Sequence, residues 1–182
     1  MRADAPEQSS SSMIESEQDQ AFTLDETVPL ETITDNRAAA IALAEQARQS
    51  LAIYTRDLDK RVLDHIEFVT AVKRLAIRSR YTSVRILVED PVRAVKRGHR
   101  LIHLGHRVPS LVQFRRPAEE YLVNQAVFMV ADEIGVLYRS IADRYTGRAS
   151  FNDPKAARQL LSHFNQVWEN SDRHPYLRRL DL

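Results

Sequence analysis

Residues Leu51-Ala52-Ile53-Tyr54-Thr55 form a run of apolar, β-branched and aromatic side chains that predicts a buried strand. A second run, Val84-Arg85-Ile86-Leu87-Val88, predicts another strand of the same kind. Between them, Asp64 and Glu67 have the spacing of a capping box, and apolar residues follow at helical spacing to about Arg80. A strand, a helix and a second strand in this order predict an α/β sheet.

The sequence on either side of this unit also alternates between helical and strand patterns. The further predicted elements are a helix at 38–47 that begins at Thr34 or Asp35, a helix from Pro91 to about Arg107, a strand at 111–114, a hairpin at 126–130 and 136–138, and a helix from Asp153-Pro154. Together these elements predict a single mixed β-sheet flanked by helices on both faces.

Composition excludes several classes of protein. The chain has 182 residues, of which 43% are hydrophobic, so it can bury the core of one domain. It contains no cysteine, which excludes disulfides, thiol chemistry and thiolate-ligated metal sites. No apolar run approaches the roughly 20 residues that a membrane span requires, and the N-terminus lacks a secretory signal pattern. We therefore expect a cytoplasmic protein, bacterial by default.

Charge divides the chain near residue 35. Residues 1–35 contain nine acidic residues and one basic residue, whereas residues 36–182 carry a net charge of +9. The segment 1–20 includes four consecutive serines and almost no large apolar residue, so we predict an acidic, largely disordered tail at 1–35 and a folded domain at 36–182. The tail is interpreted either as a solubilising leader or as a segment that covers a basic surface and competes with anionic ligands.

The predicted helix after Pro91 is unusually basic. At 100° per residue, one face presents five basic residues, and the neighbouring face is apolar with three histidines. The basic residues are Arg93, Lys96, Arg97, Arg100 and Arg107. The chain as a whole has 22 arginines and 4 lysines, and arginine suits bidentate recognition of phosphate or carboxylate. A polyanion such as nucleic acid and an ordinary solvated helix face both remain open as interpretations.

Motifs for catalysis or cofactor binding are missing. The three histidines His99, His103 and His106 have a spacing that a metal could use, but arginines surround them and no acid lies within the segment. The sequence has no Gly-x-Ser-x-Gly elbow and no glycine-rich phosphate loop. We therefore predict no metal site and no cofactor.

The order of elements, the late hairpin and the closing helix with Phe164 and Trp168 resemble a single phospholipase D-like domain over nearly all of residues 36–171. In that superfamily the first hairpin strand carries His-x-Lys-x4-Asp, in which the histidine takes the phosphoryl group and the lysine neutralises its oxygens, and Gly-Ser-x-Asn follows. Aligning Asp132 with the motif aspartate places Gln125 at the histidine and Val127 at the lysine. Only Asp132 and Ser140 match the pattern, so the resemblance implies the fold without the phospho-enzyme chemistry.

The sequence is also similar to an uncharacterised bacterial domain that occurs alone or fused to GNAT-type acetyltransferase domains. The stretches that carry this similarity are Ile53-Tyr54-Thr55-Arg56-Asp57-Leu58, Ile86-Leu87-Val88-Glu89-Asp90-Pro91, Gly98-His99-Arg100-Leu101 and Asp143-Arg144-Tyr145. That family has no assigned activity, so the similarity supports the fold and leaves the function open.

Polar residues at the strand ends are the candidate site, because open α/β sheets bind ligands at the carboxyl ends of their strands. The candidate anion-binding residues are Arg56, Arg93, Arg97, Arg100, Arg139 and Arg144. The residues expected to orient them are Tyr54, Asp57, Asp90, Asp132 and Tyr145. Structural ion pairs are the alternative interpretation of the same residues.

These observations predict a non-catalytic binding or regulatory domain for a phosphate-bearing or other anionic ligand, with nucleic acid as one candidate. Two alternatives stay open: a protein-interaction module that serves a partner enzyme such as an acetyltransferase, and a phosphodiesterase with a rearranged site. A homodimer is expected from the resemblance, because single-domain relatives of this fold commonly pair.

Overall fold

The two strands predicted at 51–55 and 84–88 lie side by side. In the computed structural model, which describes residues 27–96, 98–122 and 126–172, Ser50–Thr55 pairs in parallel with Ser83–Val88, and Ile53 is opposite Ile86. The strands of the described chain are β1 (Val28–Leu30), β2 (Ser50–Thr55), β3 (Ser83–Val88), β4 (Val112–Arg115), β5 (Val127–Ala131), β6 (Gly135–Arg139) and β7 (Gly147–Ser150). The helices are α1 (Ile33–Gln46), α2 (Lys60–Leu63), α3 (Ile66–Ala76), α4 (Pro91–Lys96), α5 (Arg100–Arg107) and α6 (Pro154–Glu169), with a 3-10 turn at Glu119–Tyr121.

The strands form one mixed sheet in the order β1-β7-β6-β5-β2-β3-β4. Strands β2, β3 and β4 are parallel, and every other neighbouring pair is antiparallel. The register pairs Tyr54 with Phe128 and Val127 with Arg139. The carboxyl ends of β2, β3, β4 and β6 therefore lie at one edge of the sheet, which we call the carboxyl edge.

Helices cover both faces of the sheet, as the sequence predicts. Alternate residues of β2 divide between two buried clusters: Ile53 packs with α1 and α3 on one face, and Tyr54 packs with α6 on the other. On the α6 side, Phe128 contacts Tyr54 and Phe164 with ring centroids 5.3 and 6.4 Å apart. The predicted fold class, a single mixed sheet between helical layers, is confirmed.

The predicted continuous helix from Pro91 to Arg107 is wrong. The chain is broken between α4 and α5 at Gly98, whose φ of +62° lies in the left-handed region that glycine adopts readily. His99 begins α5, because its Nδ1 accepts a hydrogen bond from the Leu101 N–H at 3.2 Å. The single basic face predicted for this segment therefore does not form, and Arg93 and Arg100 lie on different helices.

The capping box predicted at Asp64 and Glu67 is also absent. His65 is the N-cap of α3, and no side chain caps this helix end. The Asp64 carboxylate instead accepts the Arg100 N–H at 2.8 Å, so a tertiary contact replaces the local one. Helix α3 ends at Ala76 and not near Arg80.

The N-terminal side of the domain extends into the predicted tail. Strand β1 pairs with β7 through Val28 opposite Ala149, and neither strand is evident in the sequence pattern. Thr32 and Asp35 form a capping box at the start of α1, two residues before the predicted cap at Thr34. The folded part therefore begins no later than Val28, and the acidic segment 1–26 lies outside the described residues. Among the helices described, none combines the length and apolar character of a membrane span.

Candidate functional site

Hydrogen bonds continue past the ends of β2 and β3 and bring their polar residues together. The Glu89 N–H donates to the Thr55 carbonyl at 3.1 Å, and the Asp90 N–H donates to the Arg56 carbonyl at 2.7 Å. The Asp90 carboxylate accepts the Arg93 N–H at 3.1 Å and so caps α4. The predicted convergence of these two strand ends is thus present in the structure.

A tight loop follows β2 and exposes its charged residues on one side. Leu58 has a φ of +59°, an uncommon conformation for a branched residue, and its side chain is fully buried. Burial of Leu58 holds this backbone in place and leaves Asp57 and Asp59 on the polar side of the loop. Asp59 also begins α2 by accepting the Arg61 N–H at 3.2 Å.

The charged residues line a surface basin of about 600 Å³ at the carboxyl edge. We use "the basin" for the depression lined by Arg56, Asp57, Asp59, Lys60, Arg61, Arg93, Ala142, Asp143 and Tyr145. Four of these side chains are cationic and three are carboxylates. The volume and the charge suit a polar, anionic ligand better than an apolar one.

Two arginines at the rim of the basin are paired with carboxylates. Arg56 binds Asp143 through two hydrogen bonds of 2.7 and 2.5 Å, and these bonds lower the pKa of the Asp143 carboxyl and raise that of Arg56. Arg93 Nε lies 3.3 Å from an Asp57 oxygen. The Asp143 side chain is 71% exposed, so this pair is weakly held in water and open to an incoming anion.

Arg139 is the buried arginine of the site. It is 5% exposed, its guanidinium lies 5.1 Å from the centre of the Tyr145 ring, and Nη1 lies 3.5 Å from an Asp59 oxygen. Its Nε and Nη1 have no hydrogen-bond partner in the described chain. Arg61 lies at the same distance of 5.1 Å from the Tyr145 ring, so one tyrosine packs against two guanidiniums.

A small cavity of about 30 Å³ lies beneath the basin, between the sheet and α1. Arg139, Thr55 and Asn36 are among its polar lining residues, and Asn36 Oδ1 is buried and without a partner in the described chain. This volume suits one or two water molecules and is too small for a phosphate group. The cavity therefore offers hydration to Arg139, whereas a larger anion would have to bind from the basin side.

Glu89 and Tyr54 form a separate pair on the α6 side of the carboxyl edge. Burial raises the pKa of Glu89 to about 7, opposed by a hydrogen bond from Tyr54 and by the charge of Arg56. Burial and the neighbouring Glu89 raise the pKa of Tyr54. The Tyr54 hydroxyl also lies 3.2 Å from the Tyr121 carbonyl oxygen. Tyr54 is thus an anchor of the α6 packing layer and does not line the basin.

Several residues predicted for the site lie elsewhere. Arg100 binds the Asp64 carbonyl at 2.6 Å, which is a structural contact between α5 and the end of α2. Arg144 is exposed and is not among the basin residues. Asp132 lies at the opposite end of β2, where it accepts the N–H groups of Arg48, Gln49 and Ser50 at 2.5, 2.8 and 2.8 Å. Arg97 and Gln125 lie outside the described residues.

Four charged basin residues are absent from the sequence prediction: Asp59, Lys60, Arg61 and Asp143. Asp59 lies four residues after the end of the strand predicted at 51–55. A search that covers one further helical turn after each strand end would include it. Asp143 pairs with Arg56 across 87 positions of sequence, and no local pattern indicates such a contact.

The histidines of the 99–106 segment do not form a cluster. His99 is the cap of α5, and burial lowers its pKa. His103 lies in α5 and is exposed. Among the described residues, no group of three or more histidine and carboxylate side chains is arranged to hold a metal ion.

Comparison with known proteins adds a family and a fold. The model of a family described as a domain of unknown function, DUF7931, matches residues 32–180. No curated protein sequence matches the chain. Solved structures that are similar to the chain include the three described next. TrmBL2, an archaeal chromatin protein described as showing a novel mode of DNA binding, has a TM-score of 0.59 and 13% identity over 85% of this chain and 56% of that chain.

The other two structures are bacterial. Nuc from Salmonella typhimurium, a phospholipase D family member, has a TM-score of 0.52 and 15% identity over 76% of this chain and 90% of that chain. NucT from Helicobacter pylori has a TM-score of 0.58 and 15% identity over 82% of this chain and 99% of that chain. The chain thus spans just over half of TrmBL2 and nearly all of the two bacterial proteins. At these identities the similarity shows the fold alone.

Proposed function

This chain belongs to the DUF7931 family and has a phospholipase D-like fold, and from that premise we propose that it binds a phosphate-bearing ligand in the basin without cleaving it. Arg56, Arg61 and Arg93 contact the anion from the walls, and Arg139, which lies behind the lining residues Tyr145 and Asp59, supports it from below. Asp57, Asp59 and Asp143 hold these guanidiniums in place until the ligand arrives.

The observation that carries this proposal is the state of Arg139. An arginine that is 5% exposed, with two guanidinium nitrogens unpartnered within the described residues and an Asp59 oxygen no nearer than 3.5 Å, is costly to maintain in a protein. An anion at the floor of the basin supplies the missing acceptors after a small movement of Tyr145. A purely structural ion pair would instead be closed at hydrogen-bond distance.

The absence of cleavage is supported by the residues in the aligned motif positions. Val127, at the place of the motif lysine, is the buried first residue of β5 and carries no charge. Gln125, at the place of the nucleophilic histidine, has an amide that does not form a phospho-enzyme. The basin therefore retains charge for binding while lacking the aligned nucleophile.

Nucleic acid is one candidate ligand of this class, and the DNA-binding neighbour TrmBL2 supports it. One competing proposal is that the domain is an interaction module that serves a partner enzyme. Another is that the chain forms a homodimer in which the second copy completes the basin. Size-exclusion chromatography with light scattering, with and without phosphate, separates a ligand-dependent dimer from a monomer.

The test is thermal unfolding of the full chain in increasing inorganic phosphate, compared with chloride at equal ionic strength. At a hundredfold excess over Kd, binding contributes about 2.7 kcal/mol, which corresponds to a Tm increase of about 5–10 °C for a domain of this size. We expect Arg139→Met and Arg56→Ala to lose this increase while remaining folded. Arg144→Gln removes an exposed arginine outside the basin and is the matched control.

Equal phosphate responses in the wild type, Arg139→Met and Arg56→Ala would place the ligand elsewhere and overturn the proposal. Loss of the fold in Arg56→Ala and Arg139→Met alike would make the cluster structural. A separate assay with bis-p-nitrophenyl phosphate tests the absence of cleavage, because turnover that is lost in Arg139→Met would show a rearranged phosphodiesterase site.

A further inference from the structure

A groove separate from the basin lies between the C-terminal ends of α1 and α3. It has a volume of about 240 Å³ and is lined by Ala44, Glu45, Ala47, Arg48, Ala71, Arg74, Leu75 and Arg78. The three alanines are buried and the three arginines are exposed, so the arginine side chains form the solvent-facing rim of the groove. The residues before β2 border the groove and those after β2 border the basin, so the two sites are separated by the length of that strand, about 20 Å.

The rim of the groove is cationic. Arg74 pairs with Glu45 at 3.3 Å, but both side chains are more than half exposed and such a pair contributes little. Within the ranges that the structure describes, no ion pair engages the exposed Arg48 and Arg78 side chains. Asp132, the nearby acid in the β5–β6 turn, is occupied by three backbone N–H groups.

An exposed aromatic side chain follows Arg78 by three residues in the chain. Tyr81, in the loop between α3 and β3, is 77% exposed, and the Arg80 guanidinium lies 4.8 Å from its ring centre. The loop is anchored, because the buried Thr82 hydroxyl donates to the Ser79 carbonyl at 2.6 Å and lies 3.0 Å from the Ala76 carbonyl oxygen. The Ser83 N–H donates to the Gln49 carbonyl at 3.0 Å, so the tyrosine loop is tied to the segment that carries Arg48.

Helix electrostatics explains only part of this arrangement. A cation near the carbonyl end of a helix is stabilised by the helix dipole, which accounts for Arg48 after α1 and Arg74 in the last turn of α3. Arg78 and Arg80 lie beyond the end of α3, where the dipole effect falls off. The exposed ring of Tyr81 serves neither the dipole nor the core.

We propose that this groove binds single-stranded nucleic acid without sequence preference. Arg48, Arg74 and Arg78 contact successive phosphates, and the Tyr81 ring stacks on a base. A positively charged groove with an adjacent aromatic platform is the arrangement used for such binding, and one platform provides stacking without reading base identity. The inference does not rest on the function proposed for the basin.

The test measures fluorescence anisotropy of a labelled oligothymidylate with the full chain at about 50 mM and about 200 mM salt. We expect Arg48→Gln with Arg78→Gln to weaken binding at least about tenfold at low salt and to reduce the slope of log K against log salt by about 1.4. Lys155→Gln with Arg158→Gln removes the same charge from the exposed side of α6 and serves as the matched control.

Stacking is tested by a second pair of variants. Tyr81→Ala is expected to weaken binding about fivefold or more, and Tyr81→Phe, which keeps the ring, is expected to bind like the wild type. If both variants lose the same affinity for the oligonucleotide, or neither loses any, the Tyr81 ring does not stack on a base. A duplex of the same length is expected to bind less tightly than the single strand.

Two further outcomes would overturn the inference. If the control pair and the groove pair weaken binding equally, the effect is net charge and not a site. The second outcome is that the wild type does not bind the oligonucleotide but binds vesicles containing phosphatidylserine. If the groove variants then lose vesicle binding, the surface contacts lipid. Arg48→Gln with Arg78→Gln, which lie outside the basin, must keep the phosphate-induced increase in Tm, so a failure of the basin proposal and a failure of this one are distinguishable.

Discussion

Gly147 lies so close to Arg139 that a Cβ atom at position 147 would be 2.8 Å from Arg139 Cγ and 2.5 Å from the Tyr138 carbonyl oxygen. Because Gly147, at the start of β7, has no side chain, the buried Arg139 side chain has room to pack beside it. The requirement is steric, because no positive φ is involved at this position. The position of Arg139 behind the basin therefore depends on a residue of the neighbouring strand.

Gly147→Ala is therefore expected to displace Arg139 and to disturb the β6–β7 pairing. Because the closest contact is to backbone, we expect a loss of about 1–3 kcal/mol in the free energy of unfolding, together with loss of the phosphate-induced increase in Tm. Gly135→Ala is the control at the other end of β6, where the added Cβ meets a flexible Leu43 side-chain atom at 2.6 Å. That control is expected to lose some stability and to keep its phosphate response.

Asp132 is expected to contribute to stability and not to ligand binding. Asp132→Ala leaves the N–H groups of Arg48, Gln49 and Ser50 without their carboxylate acceptor, and we expect a loss of about 2 kcal/mol in urea denaturation. Asp132→Asn keeps one acceptor and tolerates the φ of +50°, so its loss should be smaller. An altered phosphate response in either variant, at a temperature where both are folded, would contradict this structural role.

The sheet could be predicted from the sequence because its central strands carry strong local signals. Residues 51–55 and 84–88 are short, mostly apolar runs for which a buried strand is the favoured structure. The hairpin and α6 have clear patterns of residue spacing and capping. Strands β1 and β7 were not predicted, because Val28–Leu30 and Gly147–Ser150 are short and gain their structure only by pairing with each other and with β6.

The site was only partly predictable for a related reason. Arg56, Asp57, Arg93 and Tyr145 line the basin, and the first two could be placed there because the position of a strand end follows from the strand itself. The partners that decide what each arginine does come from distant segments: Asp143 for Arg56, Asp64 for Arg100, and Asp59 for Arg139. Tertiary ion pairs of this kind have no sequence periodicity.

The break between α4 and α5 gives a third prediction. Gly98 has a φ of +62° and its Cβ position is open, so the cost of Gly98→Ala is conformational and not steric. We expect a loss of about 1 kcal/mol, with a smaller loss for Gly98→Asn, because asparagine tolerates this region better. Thermal and urea unfolding measure the difference. A gain in stability for Gly98→Ala would indicate that the segment 91–107 prefers the continuous helix that its sequence pattern suggests.

The last prediction concerns the pH dependence of stability, which follows from the burial of Glu89. Its folded-state pKa of about 7 lies above the ordinary value of 4.5, so the folded protein binds this proton more tightly than the unfolded chain does. The resulting stabilisation is complete below about pH 4.5 and is lost as the pH rises through about 7. Ionised Glu89 is then held against its burial penalty, with Oε1 unpartnered in the described chain.

Glu89→Gln removes this titration. After allowance for the partial exposure of the carboxyl, we expect its stability relative to the wild type to rise by about 1–2 kcal/mol between pH 5 and pH 8, as measured by urea denaturation across this range. Tyr54→Phe removes the hydrogen bond that lowers the pKa of Glu89, so its stability should begin to fall at the same pH as in the wild type and continue to fall to a higher pH. If the Glu89→Gln and wild-type curves run parallel from pH 5 to pH 8, Glu89 does not titrate in this window, and the carboxylate has a partner or solvent access that compensates its burial.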